Sequence, residues 1–155
     1  MCDRRAFAGQ IDESAAGLGE RLIALTGVRQ ADHVIVAGRG VLPIFLELCG
    51  RDFLCACCKA GAAPHIAGDP AASIWVLNVR NEDELLVQVT NLIRDLRPNG
   101  IVVVGLSALT SLFPFRLRRL LLESGFAAVN QRAVLIDGKV YLLAGKDAET
   151  RAKAA

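Results

Sequence analysis

The chain has 155 residues, 53% of them hydrophobic, and a net charge of +2. That length suits one domain, and that apolar content supports a packed core rather than a disordered chain. The near-neutral charge points no strong field at nucleic acid or a membrane surface, and no apolar run is long enough to span a bilayer.

The opening Met1-Cys2-Asp3-Arg4-Arg5-Ala6-Phe7 lacks the apolar segment of a secretory leader. A cytoplasmic location is the expectation, with all five cysteines as reduced thiols. Residues 1–13 carry no usable pattern. Ala15–Leu25 reads as a helix because Leu18, Leu22 and Leu25 recur at helical spacing, although Gly17 and Gly19 lower its propensity. Gly27 is its expected C-cap.

The next stretch, His33-Val-Ile-Val-Ala-Gly-Arg-Gly40, organises the rest. Val34–Ala37 is a short β-branched run that predicts a buried strand. Gly38 and Gly40 then allow a sharp turn and close approach of a ligand to the backbone. Pro43 suits the first turn of a helix from about Pro43 to Cys49, with Gly50 as the expected stop. Strand, glycine turn and helix form the ligand-facing corner of a doubly wound α/β sheet. The glycines either cradle a cofactor or preserve only the turn. As a dinucleotide fingerprint the stretch is poor, since Pro43 takes the place of the third glycine.

Phe53–Cys57 predicts a second strand. From Cys58 to Pro64 there is no room for a crossover helix, so either His65–Ala67 is a stub of strand or the segment to Ala72 is loop. Cys55, Cys57 and Cys58, with His65 nearby, lack zinc-knuckle spacing, and buried thiols without a metal are the expectation. His33 opens a strand and reads as structural. Ser73–Leu77 predicts a buried strand. Glu82–Leu96 predicts the clearest helix, with Leu85, Leu86, Val89, Leu92, Ile93 and Leu96 as one apolar stripe and Asn81 as N-cap. Glu82, Asp83 and Glu84 suit its positive first turn, and Arg94 and Arg97 its other end.

Pro98-Asn99-Gly100 is a turn signal leading into the strand Ile101–Val104. Ser107–Phe113 reads as loop, and Pro114 opens a helix to about Ser124 with Leu117, Leu120 and Leu121 inward and Gly125 as its cap. Its Arg116, Arg118 and Arg119 read as a solvated face, so nucleic-acid binding is not expected. Ala127–Ile136, Asp137-Gly138 and Lys139–Ala144 predict a hairpin around a two-residue turn. Together these elements predict a Rossmann-like α/β domain over residues 1–146, with a mostly parallel sheet, helices on both faces and a C-terminal antiparallel hairpin. Residues 147–155 are expected to form a disordered tail.

This order resembles the class I S-adenosylmethionine-dependent methyltransferases from about Glu20 to Lys146. Three pieces carry the likeness: Val34-Ile-Val-Ala-Gly-Arg-Gly40 at the cofactor loop, Leu96-Arg-Pro-Asn-Gly-Ile-Val-Val-Val104 at the turn into the fifth strand, and Leu121-Leu-Glu-Ser-Gly-Phe126 before the sixth. The resemblance implies S-adenosylmethionine as cofactor and a small molecule as methyl acceptor. It places cofactor contacts at Gly38, Gly40 and Asp69, with Asp69 matching the acid that holds the adenine amine. Arg39, Asn78 and Arg80 join them as candidates because they lie at the carboxyl ends of the strands beside the glycine corner, where open α/β sheets bind ligands. The sequence departs from the pattern at three points. Val36 stands where an acid normally meets the methionine part, Cys57 and Cys58 stand where an acid normally meets the ribose, and Leu42 replaces the third glycine. Leu77-Asn78-Val79-Arg80 is also not the Asn/Asp-Pro-Pro-aromatic motif of amino-group methylases.

Two readings follow: a methyltransferase-like protein with a degenerate cofactor site, or a non-catalytic binding or oligomerisation module that kept the fold. Methyl transfer depends mainly on positioning, so no catalytic base is assigned. The apolar hairpin edge suggests a homodimer.

Overall fold

The computed structural model describes residues 17–58, 70–78, 81–105, 113–127 and 131–146. A helix over residues 17–26 (α1) precedes β1 (His33–Gly38), α2 (Leu42–Gly50), β2 (Leu54–Cys58), β3 (Ala71–Leu77), α3 (Glu82–Ile93), β4 (Leu96–Gly105), α4 (Phe113–Glu123), β5 (Gln131–Ile136) and β6 (Lys139–Gly145). The strands form one sheet in the order β2-β1-β3-β4-β6-β5. β2, β1, β3 and β4 run parallel; β6 is antiparallel to β4 and to β5. This is the expected Rossmann-like architecture. No described helix is long and apolar enough to cross a membrane.

Alternation along the strands divides the core in two. Ile35, Ala37, Ile74, Val76, Val102 and Val104 pack with Leu85, Val89, Leu117 and Leu121 of α3 and α4. Val34, Val36, Trp75, Val103 and Leu143 pack on the other face with Leu22 of α1 and Ile44 and Leu48 of α2. Because both faces are covered, the central strands are near-continuous apolar runs rather than alternating, with Ser73 of β3 the buried polar exception. Within this core the Trp75 indole donates to the Ser73 hydroxyl at 2.9 Å, and that hydroxyl donates to the Ile101 carbonyl at 2.7 Å.

The helix ends follow their residues. Gly27 ends α1 at φ +68 and returns its N–H to Ile23. Asn81 caps α3 by accepting the Glu84 N–H at 2.8 Å. Gly125, at φ +92, closes α4 in a Schellman turn, with Phe126 N–H bonded to the Leu121 carbonyl. Asp137 and Gly138 both take positive φ in the hairpin turn, as a two-residue type I′ loop requires.

Several ends move by a residue or two, β2 to Leu54–Cys58, β3 back to Ala71 and α4 back to Phe113, a residue expected in the loop; three departures have a physical reason. Gly50 lies inside α2, and the left-handed residue that stops this helix is Asp52, at φ +63, in a second Schellman turn from Phe53 N–H to the Leu48 carbonyl. Phe53 and Leu48 are both buried, so hydrophobic closure sets the stop and a short polar residue supplies the turn. Leu96 is not the last residue of α3 but the first of β4, paired with Ala71. Its side chain joins the same core as the α3 stripe, so periodicity alone could not separate the two. The Pro98-Asn99-Gly100 turn is folded into β4 as a register shift, with Asn99 at φ +65 and Gly100 accepting from Lys146 N–H. Arg97 accordingly does not serve the end of α3; it pairs with Asp32 at 3.3 Å. The questions of a strand at His65–Ala67, of the loop after Ser107 and of the tail fall outside the described residues.

Candidate functional site

The chain leaves β1 towards β2 on one side and leaves β3 towards β4 on the other. Connections that diverge this way open a crevice beyond the carboxyl ends of the two strands, where open α/β sheets bind ligands. Gly38 ends β1 and Asn78 follows β3, so the glycine corner occupies this point.

The two glycines have different reasons to be there. Gly38 has φ +118, and a Cβ on it would overlap the Leu77 carbonyl oxygen and lie 2.7 Å from the Leu77 carbonyl carbon. Its missing side chain lets β1 and β3 close against each other. Gly40 has φ +61, and among the described residues a Cβ there would meet nothing within 4 Å. Gly40 therefore bares the backbone to open space, as close approach by a ligand demands.

Asn78, itself at φ +53, donates from Nδ2 to the Arg39 carbonyl at 3.2 Å and ties the loop to the end of β3. The Arg39 guanidinium lies 4.0 Å from the Glu84 carboxylate in the first turn of α3. Arg39 thus has a carboxylate partner within the protein. Glu84 reads from sequence only as favourable helix-end charge; the fold brings it to the corner, and long-range spacing gave no signal for that. On the other side α2 begins at Leu42. Its N-cap Val41 makes no side-chain cap bond, and its first turn holds no acid. The positive end of α2 is left without a protein counter-charge from its own residues.

Gly38, Arg39, Gly40 and Asn78 are therefore brought together, while Asp69 and Arg80 lie outside the described residues. Val36 is fully buried beside Trp75 and offers nothing to a ligand. Among the described residues no group of three or more His, Cys, Asp or Glu could hold a metal ion. A groove of about 490 Å³ runs between α3 and α4, lined by Leu86, Thr90, Arg116 and Leu120 among others. It lies on the flank of the sheet, away from the switch point. Its Arg116 and Arg119 pair with Asp83 and Glu123 at 3.3 and 3.1 Å.

Burial shifts two groups away from this corner. The Glu47 carboxyl on α2 is raised above its ordinary value chiefly by burial, against the opposing pull of Arg51 at 3.3 Å. Burial likewise raises the Tyr141 hydroxyl, helped by the charge of Asp137.

No protein-family model matches the sequence, and no curated protein is significantly similar to it. Solved structures are. A precorrin-6Y C5,15-methyltransferase from Geobacter metallireducens matches with a TM-score of 0.61 at 10% identity, over 84% of this chain and 88% of that one. A magnesium protoporphyrin IX methyltransferase from Synechocystis, solved with bound S-adenosylmethionine, gives 0.61 at 13%, over 88% and 79%. An S-adenosylmethionine-bound amino pentose methyltransferase from Micromonospora echinaspora gives 0.60 at 12%, over 94% and 97%. The fold is that of the class I S-adenosylmethionine-dependent methyltransferases. At these identities the likeness speaks for the fold alone.

Proposed function

We propose that this chain binds S-adenosylmethionine at the glycine corner through a reduced, mainly backbone site, as a methyltransferase-like protein acting on a small molecule. The observation that carries this reading is Gly40, an exposed left-handed glycine with space beside it clear of the described residues, at the switch point of the sheet. The first turn of α2, with no side-chain cap from Val41 and no acid of its own, supports it, because the positive end of a helix suits a carboxylate such as that of the methionine part. Arg39, Gly40 and Asn78 shape the loop; Asp69 and Arg80 complete the proposed set.

The side-chain half of the site fits less well. Val36 supplies no carboxylate, and a charged hydrogen bond contributes ~1.5–3 kcal/mol. Losing two such contacts lowers affinity by roughly two to four powers of ten. Weak binding is the expected result, and Val36 is also what favours the second reading, a non-catalytic module.

Isothermal titration with S-adenosylmethionine and its demethylated product separates the two. Binding in the micromolar to high-micromolar range, weakened in Gly40→Ala, supports the cofactor reading; no heat at millimolar ligand supports the module. On either reading we propose a cytoplasmic homodimer. The support is β5, an edge strand whose exposed Leu135 stands opposite exposed Val140. Light scattering should give twice the chain mass, falling to one chain in Leu135→Lys. A monomer mass for the wild-type chain ends the dimer proposal.

A further inference from the structure

Two cysteines far from the glycine corner meet in space. Cys49 sits in the last turn of α2 and Cys55 near the start of β2, and their sulfurs are 3.3 Å apart. Cys49 is exposed and Cys55 partly buried. The Cys55 thiol also points at the Phe45 carbonyl, 3.9 Å away. Between the two cysteines the chain makes the Schellman turn through Asp52, closed by Phe53 N–H on the Leu48 carbonyl at 3.0 Å. The pair is thus held together by a hydrogen-bonded reversal and a buried hydrophobic contact, not by chance orientation of two surface side chains.

We infer that Cys49 and Cys55 form a site of reversible oxidation that closes to an intramolecular disulfide. A disulfide needs its sulfurs about 2.05 Å apart, so they must close by about 1.2 Å, which side-chain rotation supplies. With a peroxide as oxidant the electrons balance in two steps. The accessible Cys49 sulfur attacks the peroxide O–O bond, taking one oxygen to become a sulfenic acid and releasing water. The Cys55 sulfur then attacks the Cys49 sulfur, the S–O bond breaks, and a second water leaves with the Cys55 proton. Two electrons pass from the two sulfurs to the peroxide. A reducing thiol reverses the bond by exchange, so the pair suits a thiol-rich compartment where disulfides are transient. Because α2 begins two residues after Gly40, the bond would fasten the helix behind the glycine corner to the edge strand β2.

The full-length chain, treated with hydrogen peroxide, alkylated and digested with trypsin, provides the test. Cleavage after Arg51 places the two cysteines on separate peptides, Gly40–Arg51 and Asp52–Lys59. The expected product is these peptides joined, with fragmentation assigning the bond to Cys55 rather than Cys57 or Cys58. Its yield should fall at least tenfold in Cys49→Ser and survive in the Cys57→Ser/Cys58→Ser double variant. In Cys55→Ser, Cys49 should stop at a sulfenic acid that a 1,3-dione traps. Peroxide-treated chains that keep both thiols alkylatable, or that link Cys49 to another cysteine, would overturn the inference.

Discussion

Substituting each corner glycine by alanine should give opposite results. At Gly38 the added methyl falls on backbone, the Leu77 carbonyl, which cannot swing aside as a flexible side chain would. β1 and β3 are in register from Val34 opposite Ser73 to Gly38 opposite Leu77, so relief requires parting the last pair and moving buried Leu77. Backbone strain at such a φ costs about 1–3 kcal/mol, and overpacking of a filled site about 1–3 more. Gly38→Ala should therefore lose about 2–6 kcal/mol, a large share of the 5–15 kcal/mol typical of a domain. At Gly40 no atom of the described residues lies within 4 Å of the new methyl, and the left-handed φ of +61 is what counts against it, about 1–2 kcal/mol.

Urea unfolding followed by fluorescence measures both, because Trp75 is the single tryptophan of the chain and lies fully buried in β3. The expected order is wild type, Gly40→Ala close below it, and Gly38→Ala far below or unfolded. Equal stability of the two variants would refute the division of roles. So would a Gly38→Ala protein as stable as wild type. The same division decides how ligand binding is read, since a loss of cofactor in Gly38→Ala reports on the fold, while a loss in folded Gly40→Ala reports on the site.

Two further perturbations test the interior. Ser73→Ala removes the acceptor of the Trp75 indole N–H inside the core and should cost about 1–3 kcal/mol in urea unfolding, with a shifted Trp75 emission. Glu47→Gln tests the buried carboxyl of α2. Its folded pKa is raised, so the folded state holds this proton more tightly than the unfolded chain, and the residue's contribution to stability falls as pH rises from 4.5 through the folded value. The stability of Glu47→Gln relative to wild type should therefore be higher at pH 7 than at pH 4.5; a difference that is flat or of opposite slope in paired unfolding curves contradicts the assignment.

The alternation of elements was legible because β1, β3 and β4 carry short apolar, largely β-branched runs and α3 and α4 a 3.6-residue stripe, and these are local signals. Asn81, Gly27, Gly125 and Asp137-Gly138 announced their caps and turn for the same reason: one residue's own preference decided each. Leu96 misled because an inward residue after a helix and the first residue of a buried strand look alike. Gly50 misled because the stop of α2 depends on Phe53 closing onto Leu48 around a left-handed Asp52, a cap set by hydrophobic closure rather than by the glycine. At the corner, the Gly-x-Gly spacing located the turn but could not tell that Gly38 answers to Leu77 and Gly40 to solvent. Glu84 beside Arg39, and Cys49 beside Cys55, lie on different elements, and only folding makes them neighbours.

Val36 bears hardest on whether the corner still holds a cofactor. It stands where the methyltransferase pattern places an acid, yet here it is fully buried, paired with Trp75 across β1 and β3 and packed in the α1–α2 half of the core. A carboxylate at that depth would meet no charge partner among its apolar neighbours, and an uncompensated buried charge costs about 3–5 kcal/mol. Val36→Glu should thus lower stability by that amount in urea unfolding and leave the affinity for S-adenosylmethionine no better than in the wild-type chain. A Val36→Glu protein as stable as wild type and binding more tightly would mean that the core tolerates the acid and the site lacks only that group. The expected failure has the opposite meaning: the core around β1 is built on an apolar side chain, and any ligand at this corner must be held by Gly40, the start of α2 and the loop fastened by Asn78.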